Sequence, residues 1–235
     1  MYQDGQYLQH NPSWHEQDSP FKASWIFDLL QKWQVTPNSV GEVGCGAAGI
    51  LRSLAEKLPS SEFDGWDVSP QAIDLANLKP HPRVKLHLAD IIEAQPFYDV
   101  LLAIDVLEHM ENPALFLRNA KSLCSHIAVH LPLDLAVQTV VRPKALVQRR
   151  RELGHIHMFT RETALELLRE NGWEIIDERY TPSALQLPIP PDARYQFQNH
   201  VLRIPRRISF FFAPHLTTRI LGGWSILILA KPVNS

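Results

Sequence analysis

The stretch Ser39–Leu51, with the sequence SVGEVGCGAAGIL, decides the fold of this 235-residue chain. Val40 and Val43 indicate a short apolar strand, and the residues from Ile50 onward indicate a helix. Glycines lie between the two elements. A strand that turns into a helix through glycines exposes backbone N–H groups and lets a ligand approach the main chain closely. The stretch therefore predicts a site for a nucleotide or a nucleotide-like cofactor.

The residues within this turn differ from those of phosphate-binding turns. The turn lacks a Gly-Lys-Ser/Thr ending, and Ala47 and Ala48 do not fit the glycine spacing of dinucleotide-binding turns. Glu42, two positions before Gly44, would repel a pyrophosphate but attract a cationic or ammonium-bearing ligand. The pattern Glu-x-Gly-x-Gly-x-small resembles motif I of the class I S-adenosylmethionine (SAM) methyltransferases. Ala48 replaces the usual third glycine there, at a position that mostly sets helix packing. Taken alone, the stretch also fits an ordinary tight turn.

Acidic residues lie at or just beyond the ends of the next two predicted strands. Asp67 ends the second strand, and Asp90 follows the third, Val84–Leu88. In nucleoside-binding α/β folds, a carboxylate at the end of the second strand accepts hydrogen bonds from the vicinal ribose hydroxyls. The phrase GWDVSPQAI, residues 65–73, resembles the same region of SAM methyltransferases. In that family the acidic residue after the third strand faces the adenine amino group. From this sequence alone, Asp90 fits equally well as the cap of the next helix.

Strands alternate with helices along the chain, which predicts a parallel sheet with helices on both faces. Tyr98–Ile104 is a nearly continuous apolar run, as in strands that are buried on both faces. The expected class is α/β, with a Rossmann-like doubly wound seven-stranded sheet. The sheet should be mostly parallel, and the resemblance implies that its last strand is antiparallel.

The resemblance implies SAM as the cofactor, bound at the carboxyl ends of the first four strands. The predicted cofactor-binding residues are Glu42, Gly44, Cys45, Gly46, Asp67, Val68, Asp90, Ile91 and Asp105.

Three histidines are candidates for a catalytic base. An oxygen nucleophile usually needs a base that works near neutral pH, and histidine suits that role best. His155 and His157 are the first candidates, since in an extended segment they would share a face, and His109 is the next. The phrase GHIHMFT, residues 154–160, resembles a stretch of the type-11 and type-12 groups of small-molecule methyltransferases. Each histidine also fits an ordinary hydrogen-bonded structural role.

The sequence Asp105-x-x-Glu108-His109 offers an alternative chemistry. It is similar to the acidic-x-x-Glu-His cluster of the ubiquinone-biosynthesis O-methyltransferases, where the cluster serves a divalent metal. A metal could lower the pKa of a phenol and replace the base. Because Leu-Glu-His also occurs in methyltransferases without metal, the main interpretation assigns no metal ligand.

The chain divides into four predicted regions. Residues 1–37 form an N-terminal arm and a cap helix, which either packs on the core or covers the cofactor as a lid. Residues 38–180 form the SAM-binding core. Residues 181–219, rich in Pro, aromatics and Arg, form an insertion without a regular period over the substrate side. Residues 220–235 hold the final strand of the sheet.

Composition narrows the function classes. The net charge is −2 and the pI about 6.6, so the chain as a whole does not indicate a nucleic-acid partner. The two cysteines form neither a disulfide framework nor the spacing of a metal site, which is typical of a reducing compartment. The N-terminus has no signal-peptide pattern, so the expected location is the cytoplasm. No run is long enough to span a bilayer, while an apolar, Arg-flanked segment around Phe210 is compatible with peripheral membrane contact.

The predicted function is SAM-dependent methyl transfer to a small-molecule acceptor, with oxygen as the expected nucleophile. Two alternatives stay open. One is a SAM-binding regulator or partner subunit without transferase activity, and the other is a metal-assisted O-methyltransferase of a lipid-like quinone precursor. The sequence indicates neither the acceptor nor the oligomeric state.

Overall fold

A computed structural model of the protein describes residues 16–186 and 193–233. Residues 1–15 of the predicted arm and 187–192 of the predicted insertion lie outside the described residues. The strands are β1 (Ser39–Val43), β2 (Glu62–Asp67), β3 (Val84–Leu88), β4 (Tyr98–Ile104), β5 (Cys124–Pro132), β6 (Trp173–Thr181) and β7 (Ser225–Pro232).

Helices connect these strands and extend from the sheet. They are α1 (Ser19–Lys32), α2 (Gly49–Lys57), α3 (Pro70–Asn77), α4 (Ile91–Ala94), α5 (Pro113–Ala120), α6 (Val137–Val140), α7 (Pro143–Gln148), α8 (Arg161–Glu170), α9 (Ser183–Gln186), α10 (Ala193–Phe212) and α11 (Pro214–Leu221). Short 3₁₀ turns at Glu16–Asp18 and Leu107–His109 and a π-helical turn at Arg149–Leu153 complete the helical elements of the described residues.

The seven strands form one sheet in the order β3-β2-β1-β4-β5-β7-β6. β7 is antiparallel to both of its neighbours, and the other paired strands are parallel. The predicted Rossmann-like sheet with an antiparallel last strand is therefore confirmed. The strand order reverses between β1 and β4, and in open α/β sheets the ligand crevice lies at the carboxyl ends of the strands at such a point.

The centre of the sheet is apolar on both faces, as the sequence predicted for β4. Val100, Leu101, Leu102 and Ala103 are fully buried. β4 pairs with β1 on one side and with β5 on the other, so its alternate side chains enter the two layers of core. At the start of β4, the buried Trp66 Nε1 on β2 donates a hydrogen bond to the Tyr98 hydroxyl at 2.8 Å.

Helices cover both faces of the sheet. On one face, α1 buries Ala23, Ile26, Leu29 and Leu30 against α2 and the sheet, which confirms that this amphipathic helix packs on the core. On the opposite face, α5 and α8 contribute the buried residues of the second core layer. The two layers hold the carboxyl ends of β1, β2 and β4 in fixed positions at one edge.

The segments that follow β5 and β6 are helical. Residues 181–219, whose sequence shows no regular period, nevertheless contain regular elements, because β6 extends to Thr181 and α9, α10 and α11 follow. Pro205 lies inside α10, and prolines with interspersed aromatics hide a helical period in the sequence. α11 packs against α6, so the region after β5 and the region after β6 form one surface.

Among the helices that the structure describes, none combines the length and the apolar character that crossing a bilayer requires.

Candidate functional site

A cavity of about 660 Å³ lies at the carboxyl ends of the central strands. This volume is within the range of small-molecule and cofactor sites. Every predicted cofactor-binding residue lines the cavity, as do two of the three predicted catalytic histidines, His109 and His155. The cavity thus joins the glycine turn at one end to histidines and carboxylates at the other.

The glycine turn after β1 has the backbone geometry that the sequence implied. Gly44 and Gly46 have positive φ angles of +64° and +52°, which glycine adopts without steric cost. A Cβ on Gly44 would also lie 2.8 Å from Cγ2 of Val106. Ala48 has φ +55° and is the N-cap residue just before α2, so the usual glycine there is favoured by backbone conformation as well as by packing. The turn therefore presents its main chain to the cavity.

Asp67 ties this turn to the end of β2. Its Oδ2 accepts a hydrogen bond from Gly46 N at 2.9 Å, and its Oδ1 accepts one from Ser69 N at 2.8 Å. Burial raises the pKa of this carboxyl above its ordinary value, while these backbone donors act in the opposite direction. The carboxylate is thus held at the cavity wall, where the ribose-acceptor prediction placed it.

Asp90, Ile91 and Val68 line the wall next to Asp67. Asp90 Oδ1 accepts a hydrogen bond from Ile92 N at 2.8 Å and caps α4. The two interpretations of Asp90 are compatible, because a residue that caps this helix also borders the cavity. Ile91 is almost fully buried and Val68 is half exposed, so both offer apolar surface to a ligand.

Glu42, on β1, is buried beneath the turn. It is 2% exposed, and its Oε2 has no hydrogen-bond partner in the part of the chain that the structure describes. Burial raises the pKa of Glu42 to about 8; the charge of Lys22 acts against this rise and that of Asp67 adds to it. A buried carboxyl without a partner is costly, and a cation in the cavity would relieve that cost.

Asp105 is held between a lysine and a histidine. Lys22 Nζ of α1 lies 2.7 Å from Asp105 Oδ2, and His130 Nδ1 of β5 lies 2.5 Å from Asp105 Oδ1. His130 Nε2 is also 2.8 Å from Thr181 Oγ1. Although burial alone would raise the pKa of Asp105, His130 and Lys22 hold it well below its usual range. Because Lys22 comes from α1, this helix lines the cavity in addition to packing on the core.

Glu108, His109 and His155 form a cluster at the other end of the cavity. One potential ligand atom from each lies within 4.8 Å of the others. Glu108 is 1% exposed, and neither of its carboxylate oxygens has a hydrogen-bond partner among the described residues. Burial raises the pKa of Glu108 well above its ordinary value, and the charge of Asp105 adds to this effect. A buried carboxyl and two imidazoles are a donor set that fits a divalent metal ion.

His155 is oriented by a buried carboxylate. Its Nδ1 lies 2.6 Å from Asp134 Oδ2, and Arg149 Nη1 lies 2.6 Å from Asp134 Oδ1. An ionised carboxylate can only accept hydrogen bonds, so His155 Nδ1 carries a proton; in the neutral imidazole, Nε2 is then the ring nitrogen with the lone pair. His109 packs edge-on against His155 and pairs through its Nδ1 with the carbonyl of Gly154 at 3.1 Å.

His157 does not lie beside His155 at the cavity. The backbone bends at residues 156 and 157, so the expected extended segment with a shared face is not formed. The backbone N–H groups of Ile156 and His157 donate hydrogen bonds to the carbonyl of Glu108, at 2.9 and 3.0 Å respectively. The His157 ring packs near Phe159, and the residue is not part of the cavity wall. Between the two histidines, the structure brings only His155 to the cavity.

Two residues of the site were missed by reasoning from the sequence. Lys22 stands within the period of an amphipathic helix, where a lysine predicts an exposed position. Asp134 follows β5 in the phrase Leu131-Pro132-Leu133-Asp134, and its place at the end of a strand was a usable signal.

Residues 14–178 of the chain match the family described as a methyltransferase domain. The chain belongs to this methyltransferase family. The match confirms the predicted class, a SAM-dependent methyltransferase, and with it SAM as the cofactor. It includes the glycine turn and both ends of the cavity, so the geometry above is that of a methyltransferase domain.

A curated relative and two solved structures are similar to the methyltransferase. Probable (S)-tetrahydroprotoberberine N-methyltransferase 2 of Papaver bracteatum is 30% identical over 87 residues, which are 34% of this chain and 24% of that protein. The chain thus matches about a quarter of that relative's length.

Both solved structures contain S-adenosylhomocysteine (SAH). Magnesium protoporphyrin IX methyltransferase (ChlM) from Synechocystis has a TM-score of 0.60 at 15% identity, over 91% of this chain and 83% of that one. The plantazolicin methyltransferase BpumL, solved with a monoazolic desmethylPZN analog, has a TM-score of 0.60 at 18% identity, over 96% and 90%. At these identities the likeness shows the fold.

The two ends of the methyltransferase cavity differ in chemistry. The end at the glycine turn offers main-chain groups and carboxylates, which suit a nucleoside that carries positive charge. The other end offers an imidazole fixed by Asp134 and a buried carboxyl at Glu108, which suit the transfer or removal of a proton at an acceptor.

Proposed function

We propose that the protein transfers the methyl group of SAM to a small-molecule acceptor, with an oxygen atom as the nucleophile. The observation that carries the proposal is the position of His155. Its imidazole is oriented by Asp134 and lines the same cavity as the predicted SAM-binding residues. A histidine in this arrangement can accept the proton of a hydroxyl at neutral pH.

In the proposed complex, the carboxylate of Asp67 accepts hydrogen bonds from the ribose hydroxyls. Val68, Asp90 and Ile91 border the adenine, and the turn from Gly44 to Gly46 approaches the methionine portion. Glu42 and Asp105 provide negative charge near the ammonium and sulfonium groups. The buried Oε2 of Glu42, without a hydrogen-bond partner among the described residues, supports this assignment because a bound cation would offset the cost of ionising this carboxyl.

In the proposed reaction, the acceptor oxygen attacks the methyl carbon in line with the sulfonium bond. A C–O bond forms, the S–CH₃ bond breaks, and SAH leaves with the electron pair on sulfur. His155 Nε2 takes the hydroxyl proton, and Asp134 stabilises the imidazolium that results. The chain's further contribution is to hold the two reactants in line and to exclude water.

The test is transfer of a deuterated methyl group from labelled SAM to paired hydroxyl and amine acceptors, with the product located by mass spectrometry. Label on oxygen supports the proposal, and label on nitrogen or carbon refutes the choice of nucleophile. SAH binding by calorimetry without transfer to any acceptor would favour the alternative of a SAM-binding regulator without transferase activity.

The role of His155 is tested by His155→Gln, with His157→Gln as a matched control outside the cavity. The first change should lower kcat by about 10²- to 10⁴-fold. SAH affinity should change little in either variant. If kcat falls equally in the two variants, or does not fall in His155→Gln, His155 is not the base.

A second candidate function is metal-assisted O-methylation, favoured by the cluster of Glu108, His109 and His155. A divalent metal bound by these three residues would lower the pKa of a phenolic acceptor as a Lewis acid. His155 would then be a ligand and not a base. The buried carboxyl of Glu108, whose oxygens accept no hydrogen bond from the described residues, fits a ligand role.

Metal content after dialysis distinguishes the two candidates without an acceptor. If the cluster binds metal, the wild-type protein should retain one divalent ion per chain and Glu108→Gln should lose it, while Glu111→Gln, outside the cluster, should not. Absence of retained metal, together with chelator-insensitive transfer, would refute this second candidate.

A further inference from the structure

The helices beyond β5 and β6 carry an unusual concentration of exposed apolar side chains. We call residues 136–153 and 201–221 the cap surface. Of the 18 large apolar residues that are exposed among the described residues, 11 lie in these two segments. Phe211 and Phe212 are the most prominent, with 82% and 78% of their surface exposed. Large apolar patches on a protein surface mark sites of contact with a partner or a membrane.

The cap surface is also strongly basic. The two segments contain nine Lys and Arg residues but only one acidic residue, Glu152, although the whole chain has a net charge of −2. Some of these cations are committed, since Arg149 pairs with Asp134 and Arg219 with Glu162. Six of the nine basic residues have exposed side chains: Arg142, Lys144, Arg150, Arg151, Arg203 and Arg207. Arg142 also donates hydrogen bonds to Gln138, and Arg203 donates one to the carbonyl of Leu185. The positive charge is therefore local, and the rest of the molecule is acidic.

A partly buried hydrogen bond joins the two segments of the cap surface. The carbonyl of Leu221, at the end of α11, accepts hydrogen bonds from Gln138 Nε2 of α6 and from the guanidinium of Arg206 of α10. Arg206 is itself buried. The apolar and basic side chains thus belong to one folded surface, which can meet a partner as a unit.

The cap surface borders the cavity. Arg149 and Leu153, in the π-helical turn that follows α7, line the cavity at the end that holds His155. One part of the cap surface, the π-helical turn, therefore adjoins the acceptor end of the site.

We propose that the cap surface docks on an anionic phospholipid membrane. Exposed phenylalanines next to arginines and lysines are the pattern of helices that lie in the membrane interface, with apolar groups inserted and cations at the headgroups. Each basic residue near an anionic surface strengthens binding by about fivefold. An anionic lipid surface matches both features, because its headgroups attract the arginines and lysines while its acyl chains take up the side chains of Phe211 and Phe212.

The test is co-sedimentation of the full chain with vesicles of phosphatidylcholine alone or mixed with phosphatidylglycerol. We expect binding to the anionic vesicles that weakens as salt is raised, and little binding to the neutral ones. The assay contains no acceptor, so its outcome is independent of the proposed methyl transfer.

Two pairs of substitutions test the contributing groups. Phe211→Ser with Phe212→Ser should weaken vesicle binding by about tenfold or more. Lys144→Glu with Arg207→Glu should do the same. The matched control is Leu78→Ser with Phe97→Ser, which removes exposed apolar groups that do not belong to the cap surface and should leave binding unchanged. SAH binding and thermal unfolding verify that each variant is folded.

Several outcomes would overturn the proposal. They are equal binding to neutral and anionic vesicles, failure to bind either, or an equal loss in the control pair. A further contrary outcome would come from size-exclusion chromatography with light scattering. If the protein fails to bind vesicles and forms a dimer that dissociates when Phe211 and Phe212 are substituted, a second copy of the chain covers this surface.

Discussion

Replacing Glu42 by Gln should change how stability depends on pH. Burial raises the pKa of Glu42 to about 8 in the folded protein, compared with about 4.3 in an unfolded chain. The folded state therefore binds this proton more tightly than the unfolded state. For such a group, the free energy of unfolding is highest below the unfolded pKa and falls as pH rises towards the folded pKa. Gln has no proton to lose, so the variant lacks this decrease.

The size of the effect follows from the difference in pKa. The difference in pKa of about 3.7 corresponds to about 5 kcal/mol if it is fully expressed. Between pH 5 and 7.5, the wild-type free energy of unfolding should fall by about 1.4 kcal/mol per pH unit relative to the Glu42→Gln variant. Water entry around the ionised carboxylate would reduce this value, and we expect a total of at least about 3 kcal/mol by pH 8.

The assay is urea unfolding of both proteins at several pH values from 5 to 8. The difference between the two plots of unfolding free energy against pH removes the contributions of other buried groups, such as Glu108, that both proteins share. Glu62→Gln, which changes an exposed carboxylate on β2, is the matched control and should follow the wild type. Parallel wild-type and Glu42→Gln curves would refute the reasoning. Saturating SAM should reduce the difference, because a bound cation favours the ionised carboxylate.

Three further predictions concern the turn, the ribose site and the core. Asp67→Asn should weaken SAM binding by about tenfold or more, since it removes a charged acceptor; unchanged affinity in calorimetry would contradict the ribose assignment. Gly44→Ala should cost at least about 1 kcal/mol of stability in urea unfolding, because of its φ of +64° and the contact with Val106; an unaffected midpoint would argue against this geometry. Tyr98→Phe should cost about 1–3 kcal/mol because it leaves Trp66 Nε1 buried without its acceptor, and a neutral result in thermal or urea unfolding would count against that hydrogen bond.

Much of the fold could be predicted because its signals are local. The bounds of β2, β3 and β4 agree with the predicted strands, since alternation and apolar runs within a few residues specify them. The glycine turn and Asp67 were located for the same reason. By contrast, the helices after β6 were missed, since Pro205 and clustered aromatics obscure the period of α10.

The sequence by itself determined the order of the strands and of the core helices between them, the glycine turn and the carboxylates at the strand ends. These depend on backbone conformation and hydrophobic period, which neighbouring residues specify. Only the tertiary structure decided that His155 and not His157 lines the cavity, that Asp134 orients it, and that Lys22 pairs with Asp105. Those contacts join elements that are distant along the chain, and their geometry depends on how the sheet, α1 and the cap surface pack together.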